Sequence, residues 1–532
     1  MKTILIVASR EISRLVRNFR GGASPLAVIL LLGVLTASVL ALRQTAVLGY
    51  GLYRLGISSE TRPVQDARFT VVTVDRSRGE QLLQQGAIDA YIDGPQVLAR
   101  QDEKSQYALG VLKRYLAQQE LERIGSTYQP EQAFPLRMGI HYLDASPSPI
   151  PSAAEEIVIP SLMKPTAPFA RVIVAMFYIL PVTFISIFFT SSFMDEKINR
   201  RLTVLMSTPI SPFQIILGKM FPYIIIALLA TAAIAALTHA NVWLALAIFT
   251  PAIAFLFAIY LMVPLFYRTF KDITFISMLV STLTTTYLVF PAMFTGLSDL
   301  AYMSPLTLAV KMYNGEPFGW REYLFPSLPM LAIFVLSMYA GTRLLNEEFV
   351  MGYRPILRKA AEAIYLLLER EHPYLSVGLL SLMVIPITFM LQLVVLVVAS
   401  NLPLDLMLVG VLFAVVLVEE TVKSMGIVVL FRNGVVRSAR QVIALAFCSA
   451  LGFLVGEKLL LFVSVSAATQ GAMSGALFST GFLVLVPLLA HFIFTTIVTL
   501  LSAKTRLRYP LALIIAAILH SLYNFMLTGA LR

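Results

Sequence analysis

Glu419, Glu420, Lys423, Glu457, Lys458, His491 and His520 lie inside long apolar runs in the last quarter of a 532-residue chain. Ionisable groups at membrane depth cost about a few kcal/mol each or more, so they mark functional sites by default. An adjacent Glu pair, a third Glu and two His fall on four successive apolar segments, and together they can build one polar pocket inside a helix bundle. Carboxylates and imidazoles in such a pocket can activate water, polarise a carbonyl or hold a metal. Adjacent residues on a helix point about 100° apart, so Glu419 and Glu420 take unequal roles, one as the water-activating base and the other as its orienter. Lys423 follows them by four and three residues, within reach of both carboxylates. His520 and Asn524 share a helical face and can polarise a scissile carbonyl together, with His491 holding water or a metal. Lys458 reads as structural, snorkelling or pairing with Glu457. At about 1.5 Å per residue, Glu420, His491 and His520 sit about 15 Å from one end of their helices. On the same rise Glu457 comes out deeper, at about 23 Å.

The elements that must position these residues are membrane helices. The chain is 58% hydrophobic and only 13% charged, against about 25% charged in soluble domains. Eleven apolar runs read as spans: 25–42, 169–194, 220–237, 243–266, 273–297, 323–342, 374–399, 406–430, 442–465, 476–501 and 510–529. The expected fold is an all-α polytopic membrane protein of about 11 transmembrane helices. With the N-terminus in the cytoplasm, the inner segments carry 22 of the 41 Lys and Arg residues, whereas the short outer loops carry only Lys311 and Arg321. That asymmetry follows the positive-inside rule and accounts for much of the +11 net charge without nucleic acid. The single cysteine, Cys448, excludes an intrachain disulfide and a cysteine-based metal site.

Three segments outside the spans have character of their own. The first twenty residues place Ala8, Ile12, Leu15, Val16 and Phe19 on one helical stripe and Arg10, Arg14, Arg17 and Arg20 on the other side, a basic amphipathic helix lying on the cytoplasmic membrane face. The stretch 43–168 is too long and polar for a loop. Its strand-like 68–75, helix-like 78–86, strand-like 87–95 and charged helical 103–123 predict a small α/β extracytoplasmic domain after the first helix. The polar, basic stretch 342–372 divides six spans from five, and the domain boundary is placed near residue 365, giving domains 1–365 and 366–532.

Residues 195–219 have an acidic-basic helical start, an apolar middle and a Pro-Ile-Ser-Pro turn leading into the next span. This resembles the signature region of type-2 ABC exporter permeases, NatB-like ones above all, through Glu196-Lys197, Leu202-Thr203, Thr208-Pro209 and Leu217-Gly218-Lys219. The order of parts over roughly 1–350 matches as well. The resemblance implies that 195–219 holds the coupling helix for a separate ATP-binding subunit, with Glu196, Lys197, Leu202, Thr203, Pro209, Gly218 and Lys219 as its marks. It also implies a second permease subunit, the same or different, since six spans make half an exporter. No phosphate-loop motif occurs in the chain, so any ATP is bound by the partner. The alternative is an ordinary basic loop between spans.

The last four spans resemble the PrsW-type intramembrane peptidases of the CAAX-protease superfamily. The matching motifs are Glu-Glu-x-x-Lys (Glu419, Glu420, Lys423), Gly-Phe-x-x-x-Glu (Gly452, Phe453, Glu457), His-aromatic (His491, Phe492) and Leu-His-x-x-x-Asn (Leu519, His520, Asn524). The CAAX branch has Glu-Glu-x-x-x-Arg and a His where Glu457 stands, which favours the PrsW side. The resemblance implies a catalytic set of Glu419, Glu420, Glu457, His491 and His520, supported by Lys423 and Asn524, acting on a membrane-embedded or membrane-proximal peptide bond. Glu420, Glu457, His491 and His520 suffice as a zinc set, and a metal-free glutamate mechanism uses the same residues. The competing readings are a non-catalytic bundle tied by buried Glu–Lys and Glu–His pairs, and an ion- or proton-coupled path. Together the two halves describe an exporter permease fused to an intramembrane endopeptidase in a prokaryotic plasma membrane, with membrane lipid and a membrane protein or peptide as its other partners.

Overall fold

A computed structural model describes residues 2–20, 32–33, 36, 51–59, 61, 63–94, 96–124, 139–143, 169–295, 299–313, 315–399, 402–468, 482–504 and 508–530. Most of the span expected at 25–42, and the first residues of the one expected at 476–501, lie outside the described residues. Two compact units result: Met1–Leu40 with Phe177–Phe290 and Glu316–Arg532, and Ala41–Met176 with Pro291–Gly315.

The second unit contains the expected α/β domain. Strands β1 (Tyr53–Ile57), β2 (Phe69–Thr73), β3 (Ala90–Asp93), β4 (Gln96–Arg100) and β5 (Gly139–Leu143) form one sheet in the order β2-β1-β3-β4-β5. β1 runs parallel to β2 and β3, β4 runs antiparallel to β3, and β5 runs parallel to β4. Because successive strand residues face opposite ways, Ala90 and Ile92 pack with Val97, Leu109 and Leu112 on one face. Tyr91 and Leu98 pack with Leu82 and Leu83 on the other. The two covering helices are α1's successors in the chain, α2 (Arg76–Gln84) and α3 (Glu103–Ile124), with α1 itself spanning Lys2–Arg20. Gly79 lets α2 lie directly on Tyr91, whose ring carbon would be 2.4 Å from a Cβ there.

The first unit is helical. In chain order it holds most of α4 (Phe169–Ile198), then α5 (Arg201–Met206), α6 (Pro212–Leu237), α7 (Val242–Phe266) and nearly all of α8 (Phe270–Ala292). The short α9 (Pro305–Tyr313) belongs to the second unit. The first unit resumes with α10 (Trp320–Leu344), α11 (Glu347–Met351), α12 (Ile356–Leu367), α13 (Pro373–Met383) and α14 (Ile385–Ala399). It ends with α15 (Leu404–Arg432), α16 (Ala439–Ala468), α17 (Phe482–Lys504) and α18 (Tyr509–Ala530).

Among the described residues eight helices are long and apolar enough to cross a membrane, and α13 with α14 forms a ninth span bent by 41°. Pro386, just past the bend, cannot donate a backbone hydrogen bond, the usual cause of such a break. α15 is as long as the others and differs in carrying Glu419, Glu420 and Lys423 along its middle. The protein is a multi-pass membrane protein.

Packing between α13 and α16 depends on the absence of side chains. A Cβ at Gly452 would stand 2.0 Å from the Gly378 carbonyl oxygen, and one at Gly456 would stand 2.6 Å from Ile385. Two glycines four residues apart on one helix allow backbones to approach at van der Waals distance, the main source of helix association in lipid. That seam brings α16, and with it Glu457, against the bent span. It also explains the glycine in the Gly452-Phe453-x-x-x-Glu457 motif as a packing residue.

The N-terminal helix is anchored by charge. Lys219 on α6 donates to Glu11 (2.9 Å) and to Glu196 on α4 (2.8 Å), and Arg14 donates to Glu196 (2.8 Å) and pairs with Asp195. Tyr223 donates to Glu11 at 3.0 Å, and Ser192 donates to the same carboxylate. Glu11, Arg14, Glu196 and Lys219 are all buried. Burial works to raise the Glu11 pKa, but the Lys219 ammonium, hydrogen bonds from Ser192 and Lys219, and the Arg14 guanidinium outweigh it and hold the carboxyl below its usual value. The contribution of this tie is therefore present at neutral pH and is lost as pH falls through that lowered value. Arg14 thus faces inward on α1, whereas Leu5, Ile6 and Ile12 are exposed.

Candidate active site

Four helices converge on the ionisable residues. Glu420, Lys423 and Ser424 project from one face of α15, because positions three and four apart share a helical face. Glu420 is fully buried, Lys423 and His520 nearly so, and His491 is buried as well. Lys423 Nζ donates to Glu420 Oε1 at 2.5 Å and lies 2.9 Å from His491 Nδ1. His520 Nδ1 is 2.9 Å from Glu420 Oε1, and Thr495 of α17 donates to Glu420 Oε2 at 3.5 Å. Glu420 is therefore held by α15, α17 and α18 at once.

These contacts determine the tautomers. His520 Nδ1 donates to a carboxylate, which leaves Nε2 with a free lone pair. His491 Nδ1 faces an ammonium and accepts from it, so Nε2 carries the proton and donates to Glu457 Oε2 at 3.3 Å. Both rings are also clamped by aromatic neighbours. Phe494 stacks on His520 with centroids 4.6 Å apart, and Phe453 meets His491 edge-on at 5.3 Å. The Lys423 ammonium sits 4.9 Å over the Phe453 ring, a favourable cation–π placement.

Glu419 points elsewhere. It lines a cavity of about 260 Å³ together with Thr388, Phe389, Gln392, Phe453 and Glu457. Gln392 of α14 donates to Glu419 Oε1 at 3.0 Å. Glu419, His491 and His520 can each present one ligand atom, and these atoms lie within 4.8 Å of one another. Two imidazoles and a carboxylate are the three-protein-ligand set of many catalytic zinc sites, so the donor chemistry fits a metal. A neutral imidazole binds a metal through one nitrogen and keeps its proton on the other, so His491 would ligate through Nδ1 by releasing Lys423, or through Nε2 by moving its proton to Nδ1.

The structure therefore brings together Glu419, Glu420, Lys423, Glu457, His491 and His520. Glu457, expected deeper than the rest, lies 3.3 Å from His491 Nε2 through its Oε2. Asn524 lies one turn beyond His520 and makes no hydrogen bond to the described residues. Lys458 approaches Glu457 only to 3.8 Å. Sequence reasoning missed Gln392, although it is a carboxamide in an apolar span and a polar group at that depth is itself a signal. It also missed the backbone ties around the site. Ser449 Oγ donates to the Lys423 carbonyl at 2.8 Å and meets Ser381 Oγ at 2.8 Å, while Ser424 Oγ lies 3.0 Å from the Tyr509 hydroxyl.

At the other candidate site, Arg200 adopts a left-handed conformation (φ 56°) that ends α4 and turns the chain into α5. Ser211 then caps α6 in a capping box with Gln214. Leu202 and Leu205 of α5 are buried, whereas Val204, Ser207, Thr208 and Pro209 are exposed, and Thr203 is half-buried. Glu196, Lys197 and Lys219 are internal: Lys197 donates to the Pro264 and Tyr267 carbonyls at 2.7 Å and caps α7. Gly218 lets α1 approach, since a Cβ there would meet Val7 at 2.7 Å.

The chain thus joins a bundle with an ionisable pocket to a further set of spans with a short helix between two of them. The family model for ABC-2 family transporter protein matches residues 25–338, and that for PrsW family intramembrane metalloprotease matches residues 374–531. The chain belongs to the ABC-2 transporter family and carries a PrsW-family protease domain at its C-terminal end. No curated protein and no solved structure matches the chain at a significant level.

Proposed function

We propose that this protein is the permease subunit of an ATP-driven exporter and also an endopeptidase that hydrolyses a peptide bond within or beside the membrane. The observation that carries the peptidase reading is the convergence of carboxylates and imidazoles from four helices beside a cavity lined by Glu419 and Glu457. Glu419, which faces the cavity, takes a proton from water as the water oxygen adds to the scissile carbonyl carbon. The C–N bond then breaks, and the same proton passes to the departing amine. Glu420 orients His520 through Nδ1, and Lys423 balances the Glu420 charge. His491 and Glu457 share a proton at the cavity edge.

In the metal-dependent alternative to that route, Glu419, His491 and His520 would hold a zinc ion, Glu419 then serving as ligand and not as base, and bound zinc would supply Lewis-acid polarisation of water or carbonyl. Glu419 takes the place of Glu420 in this set because the Glu420 oxygens are already engaged. Treating the full-length protein in lipid vesicles with a chelator should abolish cleavage of a membrane substrate, and added Zn²⁺ should restore it. Cleavage that survives chelation would remove the metal and leave a glutamate mechanism.

For transport, we place the N-terminus, α5 and the α10–α13 connection on the cytoplasmic side of a prokaryotic plasma membrane. A separate ATP-binding subunit would dock on Val204, Ser207, Thr208 and Pro209, with Leu202 and Leu205 seating α5 from behind. A second permease subunit would complete the pathway. Val204→Asp should weaken co-purification with the ATP-binding subunit by about tenfold or more, because an unpaired carboxylate would be buried in the contact. Undiminished co-purification would move the docking surface elsewhere.

A further inference from the structure

The ionisable cavity has an apolar neighbour. A second cavity of about 440 Å³ is walled by α10, by the residues at the α13–α14 bend and by α16, and Ile385 and Leu460 line both cavities. Its size falls in the range of about 300–1,000 Å³ typical of ligand pockets. Its α10 wall includes Leu328, Leu331 and Val335, and its α16 wall includes Leu459. Val335 is 55% exposed and Leu459 53%, so the groove opens sideways from the bundle, where lipid surrounds a multi-pass protein.

We infer that this groove docks the apolar membrane span of the protease's own substrate, so that α10, the last span of the permease half, forms one wall of the protease's substrate entrance. The inference rests on the peptidase reading above. An occupant of both cavities must offer apolar side chains to Leu331, Val335 and Leu459 and a polar, cleavable group to Glu419 and Gln392. A membrane-embedded polypeptide has both in one chain, whereas an acyl chain has nothing for the polar end. The bend adds backbone chemistry at the junction. Pro386 has no N–H to return to the Leu382 carbonyl, and both residues line the groove. Gly456, also in the groove wall, lets α16 pack closely on this bend, since a Cβ there would stand 3.1 Å from the Leu382 oxygen.

The test uses the full-length chain in phosphatidylcholine vesicles with a biotinylated single-span peptide of about 20 apolar residues. A photoreactive benzoylphenylalanine replaces Val335 or, as a control, Phe275 of α8, which is 70% exposed. With Glu419→Gln present to stop turnover, the Val335 position should label the peptide about tenfold more than the control, the preference expected from seating one apolar side chain. Leu331→Trp and Val335→Trp, which fill the groove from an exposed face, should each lower kcat/KM for the spanning peptide about tenfold by the same reasoning. Both should leave cleavage of a short soluble peptide with the same scissile sequence unchanged. Equal labelling at the two positions, labelling of phospholipid alone, or crosslinking to a second copy of the chain would overturn the inference. So would equal losses on both peptides. Absence of cleavage of either peptide by the wild-type chain would instead remove the peptidase reading, and with it the substrate role of the groove, whatever the crosslink shows.

Discussion

Glu419→Gln should abolish proteolysis while the protein remains folded and assembled. The expected loss in kcat/KM is about 10²–10⁴-fold, the usual share of a general base. The side chain faces a cavity and has one hydrogen bond, from Gln392. Glutamine keeps its size and can still pair with Gln392, so the substitution removes basicity and metal affinity with little change in packing. Cleavage of a membrane-embedded substrate, measured beside thermal unfolding in the same vesicles, separates the two effects. Near-wild-type turnover would exclude Glu419 as the base and return that role to Glu420.

Glu420→Ala should behave differently, losing stability and cleavage together. Glu420 is fully buried and pairs with Lys423 and His520. Removing one partner of a buried ion pair costs about 3–5 kcal/mol, because the other charge is left uncompensated. The companion change Lys423→Met removes that stranded charge, so the double variant should recover most of the unfolding temperature. It should not recover cleavage, since His520 still lacks the carboxylate that orients it. Loss of such a supporting partner typically costs 10–100-fold in activity or metal affinity. Recovery of both properties would show that Glu420 serves only to neutralise Lys423 and would weaken the division of labour between the two glutamates.

Much of the architecture was legible before any coordinates, because lipid imposes strict rules. A span must be apolar and about 20 residues long, and so the membrane helices could be located by composition. Within 43–168, alternation and charge located β2, α2, β3 and α3, but not β1, β4 and β5, although these are as long as β2. The four motifs of the last spans could be read in order because an ionisable residue in an apolar run stands out on its own. Gln392, neutral and alone on its span, was overlooked.

The sequence by itself determined a multi-pass membrane protein with two halves, a short helix between spans and a set of carboxylates and imidazoles on four late helices. Only the tertiary structure decided what each of those residues touches. Spacing along a helix gives relative direction, but the neighbour in that direction comes from another helix. Thus α14 meets Glu419 through Gln392, while α17 and α18 enclose Glu420. The same reason turns Glu196 and Lys219, which read as marks of a docking segment, into buried ties that hold α1 to α4 and α6. It also places α10, from the permease half, beside the bent span of the protease half, a juxtaposition that no local pattern encodes.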